Sequence, residues 1–243
     1  VVTRKRFNST GWRTRWSAPD PARLSKLLRI GMPIGATIFA EMGLFSFTTL
    51  LLGRFGSEVV AAHNISMNIN GVLFMPPMAL GMAATIRIGY RIGQGELLDA
   101  RETALIAMGG TLLIALIGAA MIFVLNHQLV ALYTTETAVA TLAAELLLFV
   151  VFFLLFDAAQ STAAGVLRGY KDTQIPMRIA LLSYWVIGLP VGCALGYGWF
   201  FPPMEVYGFW IGLAAGVGSA AILLSLRLHH VSRNKELILA LTR

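Results

Sequence analysis

Charge is scarce in this sequence, and there is one cysteine. Asp, Glu, Lys and Arg make up 13% of 243 residues, against about 25% in a soluble domain. So little charge does not suit a water-facing globular surface. Cys193 alone allows no internal disulfide and no thiolate metal cluster. There is no P-loop, no zinc-protease motif and no glycine-rich dinucleotide fingerprint. No serine sits in a nucleophile elbow. The sequence therefore nominates no enzyme, no metal centre and no cofactor.

What it has is apolar length. Hydrophobic residues reach 57% and the mean hydropathy is +0.72. The excess falls in six runs: 30–52, 60–86, 104–126, 141–166, 175–197 and 206–228. A helix needs about 20 apolar residues to cross a bilayer. The runs do not alternate as barrel strands would. The expected fold class is all-α: a polytopic membrane protein with a six-helix transmembrane bundle and the lipid bilayer as its first partner.

The net charge is +7 and the pI is about 10.0. Such basicity in a soluble protein suggests nucleic acid, but here its distribution follows topology. If the runs alternate across a membrane, every Lys and Arg except Arg54 falls on one side. The positive-inside rule puts that side, and both termini, in the cytoplasm. Nucleic acid is not needed to explain the charge. Three regions are expected: a basic cytoplasmic segment over 1–27, six spans over 28–228, and a cytoplasmic tail over 229–243. The first has no early apolar core of the signal-peptide kind and ends in an amphipathic lead-in, "PARLSKLLRI". It reads as a connection continuing from further chain.

Aromatic residues Tyr197, Trp199, Phe200 and Phe201 cluster at one outer edge, as in an interfacial belt. Pro76 and Pro77 interrupt the second run and Pro190 the fifth; each removes a backbone donor and is expected to bend its helix. Gly208, Gly212, Gly216 and Ala220 recur every four residues, a stripe suited to close helix packing.

Three acids lie inside the runs. Glu41 sits near the middle of the first, in "ATIFAEMGLFSF". At 100° per residue, Thr37, Glu41 and Thr48 share an arc of about 40°. Asp157 lies about one turn inward of the middle of the fourth run, with Gln160 and Ser161 one turn on. Glu145 is near that run's outer end and reads as interfacial and solvated. Arg178 and Arg227 fall only in the inner end turns of their runs, so no Lys or Arg reaches the depth of Glu41 and Asp157 to pair with them. A carboxylate at mid-bilayer costs roughly 2.5–3.5 kcal/mol on insertion scales, and ionisable groups there usually serve function. Glu41 and Asp157 are thus candidates for binding a coupling proton or cation such as Na+. The alternative is a protonated carboxyl bonded to a neighbouring helix. Of His63, Asn64, Asn68 and Asn70, the histidine is expected to be hydrogen-bonded within the bundle and Asn68 to line a cavity. His229 and His230 read as solvated.

Several stretches occur together and in order: "GMPIGATIFAEMGLFSFTTLLLGRFGSEVVAAHNIS", "MPPMALGMAATIRIGYRIGQGELLDAR" and "FDAAQSTAAGVLRGYKDTQIPM". Over about 28–228 the chain resembles the multidrug and toxic compound extrusion (MATE) family, NorM-like branch. The resemblance implies a twelve-helix antiporter of two six-helix lobes, of which this chain is the second (C-terminal) lobe. Its partner would be an N-terminal six-helix lobe absent from this chain, with 1–27 the connection between them. Such proteins sit in the plasma membrane, the inner membrane in bacteria. They export organic, mostly cationic compounds in exchange for Na+ or H+. Glu41 and Asp157 fall at the positions of the second lobe's cation site. Thr37, Asn68, Phe153 and Gln160 would line the cavity. Some members carry a Tyr one turn before the Asp, where this chain has Phe153, one oxygen ligand fewer. A lipid-linked oligosaccharide flippase of the same superfamily would need a more cationic cavity. A non-transporting membrane assembly subunit would not need the acids at all.

Overall fold

Asp20 opens the first helix: its carboxylate accepts from Ala22 N at 2.9 Å, and Pro21 takes the first turn, where its missing N–H costs nothing. The structure is a computed structural model and describes residues 20–200 and 202–242. Arg4, Lys5, Arg6, Arg13, Arg15 and Phe201 lie outside the described residues.

Helix α1 runs Pro21–Leu52, α2 Ser57–Gly93, α3 Leu97–Ala131 and α4 Thr137–Gly169. The fifth span is composite: α5 Gln174–Leu181, a π-helical stretch Leu182–Gly188, and α6 Leu189–Gly196. Then come α7, Glu205–Arg233, and a short α8, Lys235–Thr242. Among the described residues, six segments are long and apolar enough to cross a membrane, and no strand occurs. The protein is all-α and multi-pass. The helices outrun the apolar stretches that mark them. The lead-in "PARLSKLLRI" is continuous with the first span, and the fourth helix continues through Arg168.

Helix α4 is the centre of the bundle, with α2, α3 and α7 packed around it. Its residues Leu146, Leu147, Val150, Phe153 and Leu154 are fully buried. Water gives no hydrophobic drive between helices inside a bilayer, so close approach and interhelical hydrogen bonds matter more. Both are present. Thr85 Oγ1 donates to Gly165 O at 2.6 Å, Thr162 Oγ1 to Thr111 Oγ1 at 3.1 Å, and Ser66 Oγ to Ala143 O at 3.4 Å. The stripe Gly208–Gly212–Gly216 of α7 meets Gly188, Gly192 and Gly196 of the fifth span, backbone on backbone. Outward faces are apolar: Phe39, Ile86, Ile106, Phe123 and Leu226 are all exposed, as lipid contact requires.

The prolines act differently from the expectation. Helix α2 passes through Pro76 and Pro77 without a break, whereas the interior residue with non-helical backbone is Leu125 of α3 (φ −114°, ψ 19°). Pro190 does have a visible consequence. Without its N–H the α ladder loses a donor, and the preceding turn widens: Leu189 N–H donates to Tyr184 O, five residues back.

The bundle end where α1 starts and α4 finishes is tied by an ion pair. Arg227 Nε of α7 donates to Asp172 Oδ2 at 2.8 Å, and Asp172 is buried. The reversal from α4 to α5 passes through Lys171 at φ 60°, a left-handed conformation that costs a non-glycine residue some strain.

Candidate functional site

Helical spacing carries the acids to one place. On α4, Asp157, Gln160, Ser161, Ala164 and Arg168 share an arc of about 100° on one side of the helix. On α1, Ile34, Thr37, Ile38 and Glu41 do the same at the i, i+3, i+4, i+7 spacing. Thr37, Glu41, Gln160, Ser161 and Arg168 line one narrow cleft between the two helices, closed at the end by Thr173 and Pro176. Asp157 lies just above it, 4% exposed, close enough for its charge and that of Glu41 to repel.

Around Asp157 the structure gathers oxygen atoms. The Asn70 amide of α2 lies beside it. Gln160 Nε2 donates to the Tyr184 hydroxyl at 2.7 Å, and that phenol is fully buried within reach of both acids' charge. Three buried acceptors have no hydrogen-bond donor: Asp157 Oδ1, Asn70 Oδ1 and Gln160 Oε1. Unmet buried acceptors are costly, at about 1–3 kcal/mol each. Three of them near two carboxyls ask for something positive. Hard oxygens of this kind suit a proton or a hard cation. Among the described residues no group of three His, Cys, Asp or Glu gathers for a transition metal.

The cleft holds about 50 Å³. A drug-sized ligand needs roughly 300–1,000 Å³. This is a site for an ion or a few waters, so an organic molecule has to bind elsewhere.

Several sequence expectations change here. Asn68 does not line this cleft: it is exposed and accepts from the Tyr133 hydroxyl at 2.8 Å. Asn70 takes the inward place, because it shares a helical face with buried His63 and Ser66, whereas Asn68 is turned about 160° from it. Phe153 is a core residue packed edge-on against Phe45 and Trp210, not a cavity wall. A buried phenol does stand near the acids, that of Tyr184 on the π-helical stretch. A basic residue does lie inside a span. Arg168 is in α4, part-buried, and attracts Glu41 across the cleft. His63 is hydrogen-bonded within the bundle, to Thr49 Oγ1 at 3.1 Å, and stacks edge-on against Trp210. Glu145 is exposed and hydrogen-bonded to Tyr207. His229 and His230 are exposed.

Six membrane-length helices around an ion-sized acidic cleft define a multi-pass helical membrane protein with a buried oxygen site. The MatE family model matches residues 33–193, and the chain belongs to the multidrug and toxic compound extrusion (MATE) family. It is 43% identical over 221 residues to the multidrug resistance protein PmpM of Pseudomonas aeruginosa, covering 90% of this chain and 46% of that protein. It is 38% identical over 220 residues to the multidrug resistance protein NorM of Aliivibrio fischeri, covering 90% and 48%. A crystal structure of the eukaryotic MATE transporter AtDTX14 shares the fold with a TM-score of 0.85 at 24% identity, over 97% of this chain and 53% of that one. The chain thus spans about half the length of the relatives it matches.

Proposed function

We propose that this chain is the second lobe of a secondary active multidrug antiporter, which exports organic, mostly cationic compounds in exchange for Na+ or H+. Glu41 and Asp157 bind the coupling ion, and Asn70, Gln160 and Tyr184 complete the site. One observation carries this reading: two mid-bundle carboxyls meet at a cleft too small for a drug, where Asp157, Asn70 and Gln160 each leave a buried acceptor oxygen unmet.

The mechanism follows from differential affinity. An ion shifts a conformational equilibrium only as far as it binds the two states differently. Occupied, the acids are neutralised and the site closes around its oxygens. Empty, the two carboxyls repel across the gap between α1 and the rest of the bundle. Helix α1 is the element able to respond, since it packs mainly on α5 and leaves much of its surface exposed. The organic substrate binds between this lobe and an N-terminal six-helix lobe, joined through the basic segment 1–27. Residues 28–228 form the transmembrane lobe and 229–243 the tail. Both termini face the cytoplasm, a reading supported by the Lys and Arg distribution. The membrane is the plasma membrane, the inner one in a bacterium. The acidic sign of the site favours antiport over flipping of an anionic lipid-linked sugar.

The test is efflux of ethidium from proteoliposomes of the full-length protein, driven by a Na+ or a pH gradient. The double variant Glu41→Gln, Asp157→Asn is expected to lose ion-driven efflux while Glu145→Gln keeps it. Undiminished efflux in the double variant refutes the reading.

A further inference from the structure

The cleft has a cation of its own. Arg168 shares it with Glu41. Geometry turns the two side chains toward each other. Every Cα–Cβ bond in a helix tilts toward the helix N-terminus. Helix α4 ends where α1 begins, so Arg168 leans up the cleft and Glu41 leans down it. The hydrogen bonding agrees: Arg168 Nε donates to Ala164 O at 3.3 Å, one turn nearer the acids. A long basic side chain near a membrane surface ordinarily extends to water. Here it folds inward. No carboxylate lies within ion-pairing distance of Arg168 among the described residues, so attraction across the cleft stops short of a closed pair. A guanidinium does not deprotonate in proteins, so this charge is permanent.

We propose that Arg168 is a built-in counter-ion, which takes the place of the coupling cation at Glu41 and drives its release toward the cytoplasm. The inference rests on the assignment of Glu41 to the ion site and goes beyond it. While the ion is bound, Arg168 repels it. Once the ion leaves, Arg168 closes on Glu41 and offsets the cost of a bare carboxylate in a dry cleft. The release side is set by position. Arg168 lies between Glu41 and the end carrying Thr173, Pro176 and the Asp172–Arg227 pair, which is the end assigned above to the cytoplasm. An antiporter needs such a device, because a site strong enough to capture an ion from outside must still empty inside.

The test uses full-length protein in proteoliposomes exporting ethidium, with the driving cation, Na+ or H+, varied on the cytoplasmic side. The readout is the cation concentration that half-inhibits efflux from that side. Arg168→Gln is expected to lower it about tenfold or more, since one charge has a tenfold effect even from about 12 Å in a medium of effective dielectric about 20. Arg168→Lys, which keeps the charge, is expected to stay near the parent. Arg168→Met keeps most of the stem and serves if the Gln variant does not fold. A folded Gln or Met variant with unchanged half-inhibition overturns the proposal, and so does a Lys variant that behaves like Gln. Glu41→Gln separates the two claims. Undiminished ion drive in that variant removes the site itself, whereas lost drive alongside a parent-like Arg168→Gln removes only the counter-ion.

Discussion

Gly212→Ala is the sharpest probe of how this bundle is built. A Cβ at Gly212 would lie 2.4 Å from both Cα and N of Gly192 and 2.7 Å from Gly188 O. Carbon atoms pack best at about 3.5–4.0 Å. The neighbours are backbone, so no rotamer change relieves the clash, and α7 and the fifth span must part by about 1 Å. A gap of that order forfeits between a quarter and a half of each contact's attraction along the seam. Overpacking of this kind costs about 1–3 kcal/mol or more. Alanine's better helix propensity returns up to about 1 kcal/mol. The net loss is about 1–2 kcal/mol, equivalent to roughly 2–8 °C in a chain of this size. The control is Gly109→Ala in α3, where a Cβ meets nothing within 4 Å; it is expected to be neutral or slightly stabilising. The assay is loss of the monodisperse peak of the full-length protein in detergent as temperature rises. If Gly212→Ala melts with Gly109→Ala, the two helices do not approach as closely as described.

Two further outcomes test other parts of the molecule. Arg227→Ala should destabilise the protein by about 3 kcal/mol, because it strands the buried Asp172 carboxylate, and Asp172→Ala by less, because Arg227 is partly exposed; the double variant should lose much less than the sum. Additive losses by thermal melting would refute the pairing. Tyr184→Phe should leave the protein folded but reduce ion-driven ethidium efflux severalfold, since Gln160 Nε2 loses its acceptor and the ion site an oxygen; parent-like efflux would take Tyr184 out of the site.

The acids were legible because they break a pattern. Glu41 and Asp157 stand out in runs that are otherwise apolar, and period alone puts Glu41 on one face with Thr37. Asn70 was legible in principle by the same rule, since it continues the face of His63 and Ser66. Asn68 looked equally good only while that period went unused. Tyr184 was hidden for another reason. It lies on a different span, and its distance from Asp157 depends on how the fifth span packs and on the π-helical stretch beside Pro190. Arg168 is not visible as a site residue from sequence because hydropathy marks where apolar residues stop, not where the helix stops. Backbone hydrogen bonds carry α4 on to Gly169.

Sequence alone determined the class of protein, the number of spans, the uneven sharing of charge between their ends and the two acids. All of these follow from one-dimensional properties: run length, charge position and helical period. Tertiary structure decided the rest. It put Asn70 and Tyr184 beside the acids and Phe153 in the core, and it placed Arg168, just past the end of the fourth apolar run, on the wall of the cleft. These depend on which helix faces meet and which way side chains lean, and no single helix carries that information. It arises when six of them pack around α4.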